Sequence, residues 1–143
     1  MNVTRIDFDP SSFGITQKSL KMLRDLLATQ GHHRLAVVEV PTNDLCCGFF
    51  IFDWDYQRAT WTGDGFRTDR QGEGGAGMLT AELLLALFNL YPIPWEPVNL
   101  DALYGEGNVE GLLLEVAQKI AAELSEGVFQ RPIDGMPPYG RPS

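Results

Sequence analysis

The chain has 143 residues, of which 44% are hydrophobic and 21% are charged, and its formal net charge is −8. This length is typical of a single domain, and the apolar fraction excludes disorder of the whole chain. The charge is uneven: residues 1–72 hold eight Lys/Arg against nine Asp/Glu, whereas residues 73–143 hold three against ten. An acidic chain without a membrane-length apolar run predicts a cytoplasmic protein with neither a nucleic-acid nor a membrane partner.

The first half of the chain predicts one helix and three strands. After an irregular lead-in, the leucine spacing predicts a helix over Thr16–Gln30. Runs of apolar residues separated by turn residues then predict strands at about 35–40, 45–54 and 58–62. Because only short turns separate these strands, we expect them to form an antiparallel meander.

The second half predicts two further helices. A nearly continuous apolar run predicts a helix at about 78–91, buried over most of its circumference, and Asn108 predicts the start of a helix over about 109–126. A short extended segment near 98–100 lies between them. The predicted fold is therefore a single α+β domain over 1–130, with an antiparallel meander of three or more strands packed by three helices. A Pro/Gly-rich tail, 131–143, follows this domain.

The second predicted strand, 45–54, is apolar at both its odd and its even positions. A strand with this pattern is covered on both faces. One cover is expected to be helical, and the other is a second helix layer, the chain ends or a partner subunit. The strand also contains Cys46 and Cys47, whose side chains point to opposite faces, so we expect two free thiols rather than a disulfide or a metal site.

The most distinctive segment is TGDGFRTDRQGEGGAG at 62–77, which precedes the second helix. Bare backbone N–H groups at a helix N-terminus, close to arginine side chains, are suited to binding an anion. The open alternative is that the glycines only permit a tight crossover. The candidate anion-binding residues are Arg67, Arg70, Gln71, Gly72, Gly74, Gly75 and Gly77.

The order of elements and the segment Gln71–Ala76 resemble the GNAT acyltransferases, in which a Gln/Arg-x-x-Gly-x-Gly/Ala loop enters the central helix. This resemblance implies an acyl-CoA-dependent N-acyltransferase that binds the acetyl-CoA pyrophosphate at Gln71–Gly77, assisted by Arg70. It also implies that the third strand splays from a following parallel strand near 98–100, which opens a cofactor cleft. Without this resemblance, the sequence indicates no cofactor.

Two other groups of residues have chemical interest. The carboxylates Asp53, Asp55, Asp64, Asp69 and Glu73 could converge at one end of the sheet and bind a hard cation, but the favoured interpretation is that they are solvated turn carboxylates. His32 and His33 follow the first helix without a third metal ligand at useful spacing, so no metal site is predicted.

The aromatic residues around the second hairpin are Trp54, Tyr56, Trp61 and Phe66. Cross-strand packing is their default role, and a protein-binding patch is the alternative. The leading functional prediction is a non-catalytic interaction or accessory protein, whose glycine-rich loop and aromatic hairpin form the working surface. Self-association through the sheet remains an open alternative, as does the acyltransferase activity.

Overall fold

The computed structural model describes residues 1–99 and 107–129, which form three α-helices and a mixed sheet of six strands. The predicted α+β class is confirmed. The predicted tail at 131–143 and the end of the segment at 98–100 lie outside the described residues. The strands are β1 Arg5–Asp7, β2 Leu35–Pro41, β3 Cys46–Asp53, β4 Arg58–Trp61, β5 Phe66–Arg67 and β6 Ile93–Pro94, and the helices are α1 Thr16–Gln30, α2 Gly72–Leu87 and α3 Val109–Glu123.

The sheet contains the predicted meander but is not wholly antiparallel. Strands β2, β3 and β4 pair antiparallel in sequence order, and β5 extends the pairing of β3. At the two edges, β1 pairs with β4 and β6 pairs with β2, both in parallel. Helix α1 lies between β1 and β2, and α2 lies between β4 and β6. Such crossover connections keep the strands that they join parallel. Because β2 and β4 both pair antiparallel with β3, they run in the same direction, so each edge strand is parallel to both of them. The prediction of a purely antiparallel sheet is therefore corrected to a mixed one.

Strand β3 is covered on both faces, as its apolar pattern predicts. Phe50 and Phe52 pack in the core beneath α3, whereas Phe49 and Ile51 pack in the core beneath α1 and α2. The 3₁₀-helical segment Glu126–Phe129 and residues near the N-terminus complete the α3 side. Both covers come from this chain, so the apolar character of β3 gives no argument for a partner subunit against the sheet.

Helix α2 differs from the prediction in both its start and its burial. It begins at Gly72, so the glycines form its first turns, and it ends at Leu87. Its outer side chains Leu79, Leu83 and Leu87 are 54%, 62% and 78% exposed. The helix packs against α1 and the sheet on one side only, and no described residue covers the other. Among the described helices, none is long and apolar enough to cross a membrane.

Candidate functional site

The glycine-rich segment serves close packing at the start of α2. Arg70 has φ +60°, so the chain turns sharply just before the helix, and a Cβ on Gly75 would overlap the Arg70 backbone. A Cβ on Gly74 would meet the Arg67 side chain, and one on Gly77 would meet Thr16 of α1. These contacts explain the glycines without a ligand, because they let α2 approach its neighbours closely.

The two arginines proposed to receive an anion each bind a carboxylate of this chain. Arg67 makes two hydrogen bonds to Asp69, at 2.9 Å and 2.5 Å, which lower the pKa of Asp69 and raise that of Arg67. Arg70 binds Glu82 at 2.5 Å. Glu73 in the first turn of α2 supplies further negative charge at the helix N-terminus. An incoming anion would have to displace these carboxylates.

The strand arrangement differs from the one that the GNAT resemblance implies. The third strand of the meander, β4, has β1 as its outer neighbour, and β6 lies beyond β2 at the opposite edge of the sheet. No splayed pair of β4 and a later parallel strand exists within residues 1–99 and 107–129. The segment Gln71–Gly77 consequently starts a helix packed against α1 and β5 rather than facing a cofactor cleft.

The four aromatic candidates divide between the core and the surface. Trp61 and Phe66 are fully buried, packing against Phe50 and Phe49 respectively. Their environment is that of the default packing role, and the alternative that these two belong to an interaction surface is corrected. They point inward because strand alternation places them in the two cores. Trp54 is partly buried against Phe129, and only Tyr56, at 61% exposure, is a surface side chain. The hairpin presents no aromatic patch.

The carboxylates of the predicted acidic cluster take part in separate local interactions. Asp64 bridges the Gly14 amide and the Thr42 hydroxyl, and Asp69 binds Arg67. Of the five carboxylates, only Asp53 and Asp55 come together. His33, which the sequence analysis did not group with them, lies beside this pair. The ligand atoms of these three residues lie within 4.8 Å of one another.

The geometry around His33 is that of a buried, hydrogen-bonded pair. His33 Nδ1 lies 2.7 Å from Asp53 Oδ2, and both residues are at least nine-tenths buried. The other oxygen of Asp53 accepts the backbone N–H groups of Asp55 and Tyr56. Arg34 binds Asp55, so a cation already occupies part of this cluster. These contacts tie the β3–β4 turn to the residues after α1, which is a structural role.

The three most exposed leucines of the described residues lie on the outer side of α2. Leu79, Leu83 and Leu87 recur every fourth residue and therefore form one stripe along the helix. Sequence reasoning identified these leucines as apolar but assigned them to the core, since a helix that is apolar all round is usually buried. We call this stripe the leucine face.

An acidic border follows one side of the leucine face. Glu82 lies between Leu79 and Leu83 in α2, where Arg70 pairs with it, and Glu39 of β2 lies close to this pair. Burial raises the pKa of Glu39, and the negative charge of Glu82 raises it further. The Glu39 carboxylate makes no hydrogen bond or ion pair with any residue in 1–99 or 107–129. Glu39 is therefore a half-buried hydrogen-bond acceptor beside the leucine face.

Comparison with known proteins identified no relative of this chain. No protein-family model, no curated protein and no solved structure matches it. The functional proposal below is argued from the geometry of the described residues.

Proposed function

We propose that this protein is a non-catalytic interaction module and that it binds its partner through the leucine face of α2. The observation that carries the proposal is the exposure of Leu79, Leu83 and Leu87 in a single stripe. Contiguous exposed apolar surface on an otherwise polar exterior marks interaction sites. This surface replaces the glycine-rich loop, whose arginines bind carboxylates of this chain, and the aromatic hairpin, of which only Tyr56 is a surface side chain.

The size of the leucine face favours a weak, reversible interaction. Fully burying a leucine contributes about 1.5–3 kcal/mol, so covering these three, which are half to three-quarters exposed, would contribute about 3–6 kcal/mol. Association itself costs roughly 4 kcal/mol or more. The stripe therefore needs additional contacts around its border to give a stable complex.

The border charges indicate the chemistry of the partner. Glu39 is the carboxylate beside the leucine face that has no ion pair with a described residue, since Arg70 already binds Glu82, and the chain as a whole has a net charge of −8. A second copy would bring another −8, whereas a helix with an apolar stripe flanked by Lys or Arg would supply complementary charge. An amphipathic helix of this kind commonly docks by its apolar face. We assign the partner to this class, a basic amphipathic helix.

The test uses a synthetic helical peptide about four turns long, with leucines along one face and lysines elsewhere. We expect this peptide to bind the wild-type protein. We expect Leu83→Ser to weaken binding by at least about tenfold, because the variant loses the free energy of burying Leu83 and each 1.4 kcal/mol of binding free energy is a factor of ten in affinity. Leu45→Ser is the matched control, since Leu45 is 45% exposed on the β2–β3 turn, away from α2. Calorimetric titration measures all three affinities.

Two further outcomes would contradict parts of the proposal. A peptide with glutamate in place of lysine should bind much more weakly, and equal binding would show that charge does not select the partner. Analytical ultracentrifugation tests the second copy as occupant: a wild-type dimer that Leu83→Ser converts to a monomer would assign the leucine face to self-association.

A further inference from the structure

Strand β2 carries a single charged side chain, Glu39, in an otherwise apolar sequence. Leu35 and Val37 pack in the core beneath α1 and α2, and strand alternation directs Glu39 to this same face of the sheet. Its backbone pairs with Phe49 of β3 on one side and with Pro94 of the edge strand β6 on the other. The carboxylate of Glu39 therefore stands near the β6 edge of the sheet, on the side that α2 covers.

Among the described residues, the ionisable groups that face Glu39 leave its negative charge without a partner. They are Glu82 of α2, Arg70 before this helix, and the buried thiol of Cys47 in β3. Both terminal nitrogens of Arg70 donate hydrogen bonds to the carboxylate of Glu82, at 2.5 Å and 3.2 Å, so this guanidinium is committed to Glu82. The negative charge of Glu39 is left over beside a pair that is already neutral.

The half-buried carboxylate of Glu39 is suited to binding a cation. Burial and the negative charge of Glu82 both raise the pKa of Glu39, so its ionised form is unfavourable in the isolated protein. A new ion pair at this position is screened less by water than a pair on the open surface. A positively charged side chain that donates hydrogen bonds would supply what the described chain does not.

We propose that Glu39 selects the partner of the leucine face by accepting a hydrogen bond from one Lys or Arg side chain of the bound helix. This role rests on the proposed function and assigns the recognition of charge to one residue. Glu82 borders the leucine face between Leu79 and Leu83, and Glu39 faces Glu82 from the sheet. A long basic side chain reaches past such a border with its charged end while its methylene groups cover apolar surface.

Recognition by Glu39 couples binding of the partner to pH. A cation beside Glu39 lowers the pKa of this carboxyl, so the free protein holds the proton more tightly than the complex does. The affinity is therefore complete above the raised pKa of free Glu39 and falls as the pH is lowered through it. Glu39→Gln removes this dependence because the amide does not titrate.

The experiment titrates the leucine- and lysine-containing helical peptide described above into wild-type protein, Glu39→Gln and Glu115→Gln at pH 7. Glu115 on α3 is exposed and pairs with Lys119, so its variant is a matched control with the same net charge as Glu39→Gln. We expect Glu39→Gln to weaken binding by about tenfold and Glu115→Gln to change it by no more than about twofold, because only Glu39 bonds to the charged donor. A peptide with glutamine in place of lysine should lose no affinity on Glu39→Gln.

A pH profile separates recognition of charge from a structural role of Glu39. On lowering the pH from 7 to 5, the wild-type protein should lose more affinity for the lysine peptide than Glu39→Gln does. Thermal unfolding at both pH values verifies that the variant is folded. Glu39→Gln should be no less stable than the wild type, because the nearly isosteric substitution removes a half-buried charge without a partner.

Failure of this assignment is distinguishable from failure of the proposed function. Equal affinities of Glu39→Gln and Glu115→Gln, or parallel pH profiles of Glu39→Gln and the wild type, would overturn the role of Glu39. A loss of binding in Leu83→Ser would in that case still support the leucine face. Unchanged binding in Leu83→Ser would instead reject the proposed function, and the role of Glu39 with it.

Discussion

At the residue scale, the adjacent thiols of Cys46 and Cys47 have different environments. Cys47 is fully buried next to the sulfur of Met78, and burial raises its pKa to about 12. Cys46 is partly exposed on the other face of β3. The alternation of a strand made this difference in orientation predictable, but which thiol is buried depends on the helices above the sheet.

Thiol titration tests this difference. At pH 8 a disulfide reagent should modify one equivalent rapidly, at Cys46, because the attacking species is the thiolate and Cys47 remains protonated far below a pKa of about 12. Cys46→Ser should abolish the rapid phase, and Cys47→Ser should leave it unchanged. Two equally rapid equivalents would contradict the described burial of Cys47.

At the scale of elements, the bounds of α1 were predicted correctly, whereas the start of α2 was predicted six residues too late. The bounds of α1 follow from the spacing of its leucines and from the turn residues that flank it, which are patterns between residues close in sequence. Glycine is a poor helix former, so Gly72–Gly77 indicated a loop. Tertiary packing overrides this propensity, because only a residue without a Cβ lets the first turn of α2 lie against Arg70 and α1.

Substitution at Gly75 tests this packing explanation. Gly75→Ala should lower the free energy of unfolding by about 1–3 kcal/mol, since the added Cβ overlaps the backbone of Arg70 and forces the connection to shift. Ala76→Ser, one residue later on the exposed side, should change it by no more than about 0.5 kcal/mol. Urea unfolding measures both values, and equal midpoints for the two variants would refute the explanation.

At the scale of the whole molecule, two separate cores stabilise the sheet from opposite sides. Phe49 belongs to the core beneath α1 and α2, and Phe50 belongs to the core beneath α3. The sequence indicated that both faces are apolar. It left open whether a helix layer, the chain ends or another subunit covers the second face, because that depends on how distant segments pack.

The two cores predict that neighbouring substitutions in β3 are both severe. Phe49→Ala and Phe50→Ala should each cost about 3–5 kcal/mol of stability, because each removes a fully buried ring from a different core. Leu45→Ala, on the exposed turn, should cost about 1 kcal/mol or less. Chemical unfolding of the three variants provides the measurement. A small effect of either phenylalanine substitution would show that one face of β3 is not closely packed.

The sequence by itself determined the α+β class, the limits of α1 and the central meander, because helix periodicity, strand alternation and turn residues act over a few neighbours. Only the tertiary structure decided the parallel edge strands, the pairing of His33 with Asp53 and the exposure of the leucine face. The strand pairing and the His33–Asp53 contact bring together segments that are distant along the chain, and the exposure of the leucine face depends on which elements pack against α2. An apolar residue is identified by its chemistry, but whether it is buried depends on whether another element covers it.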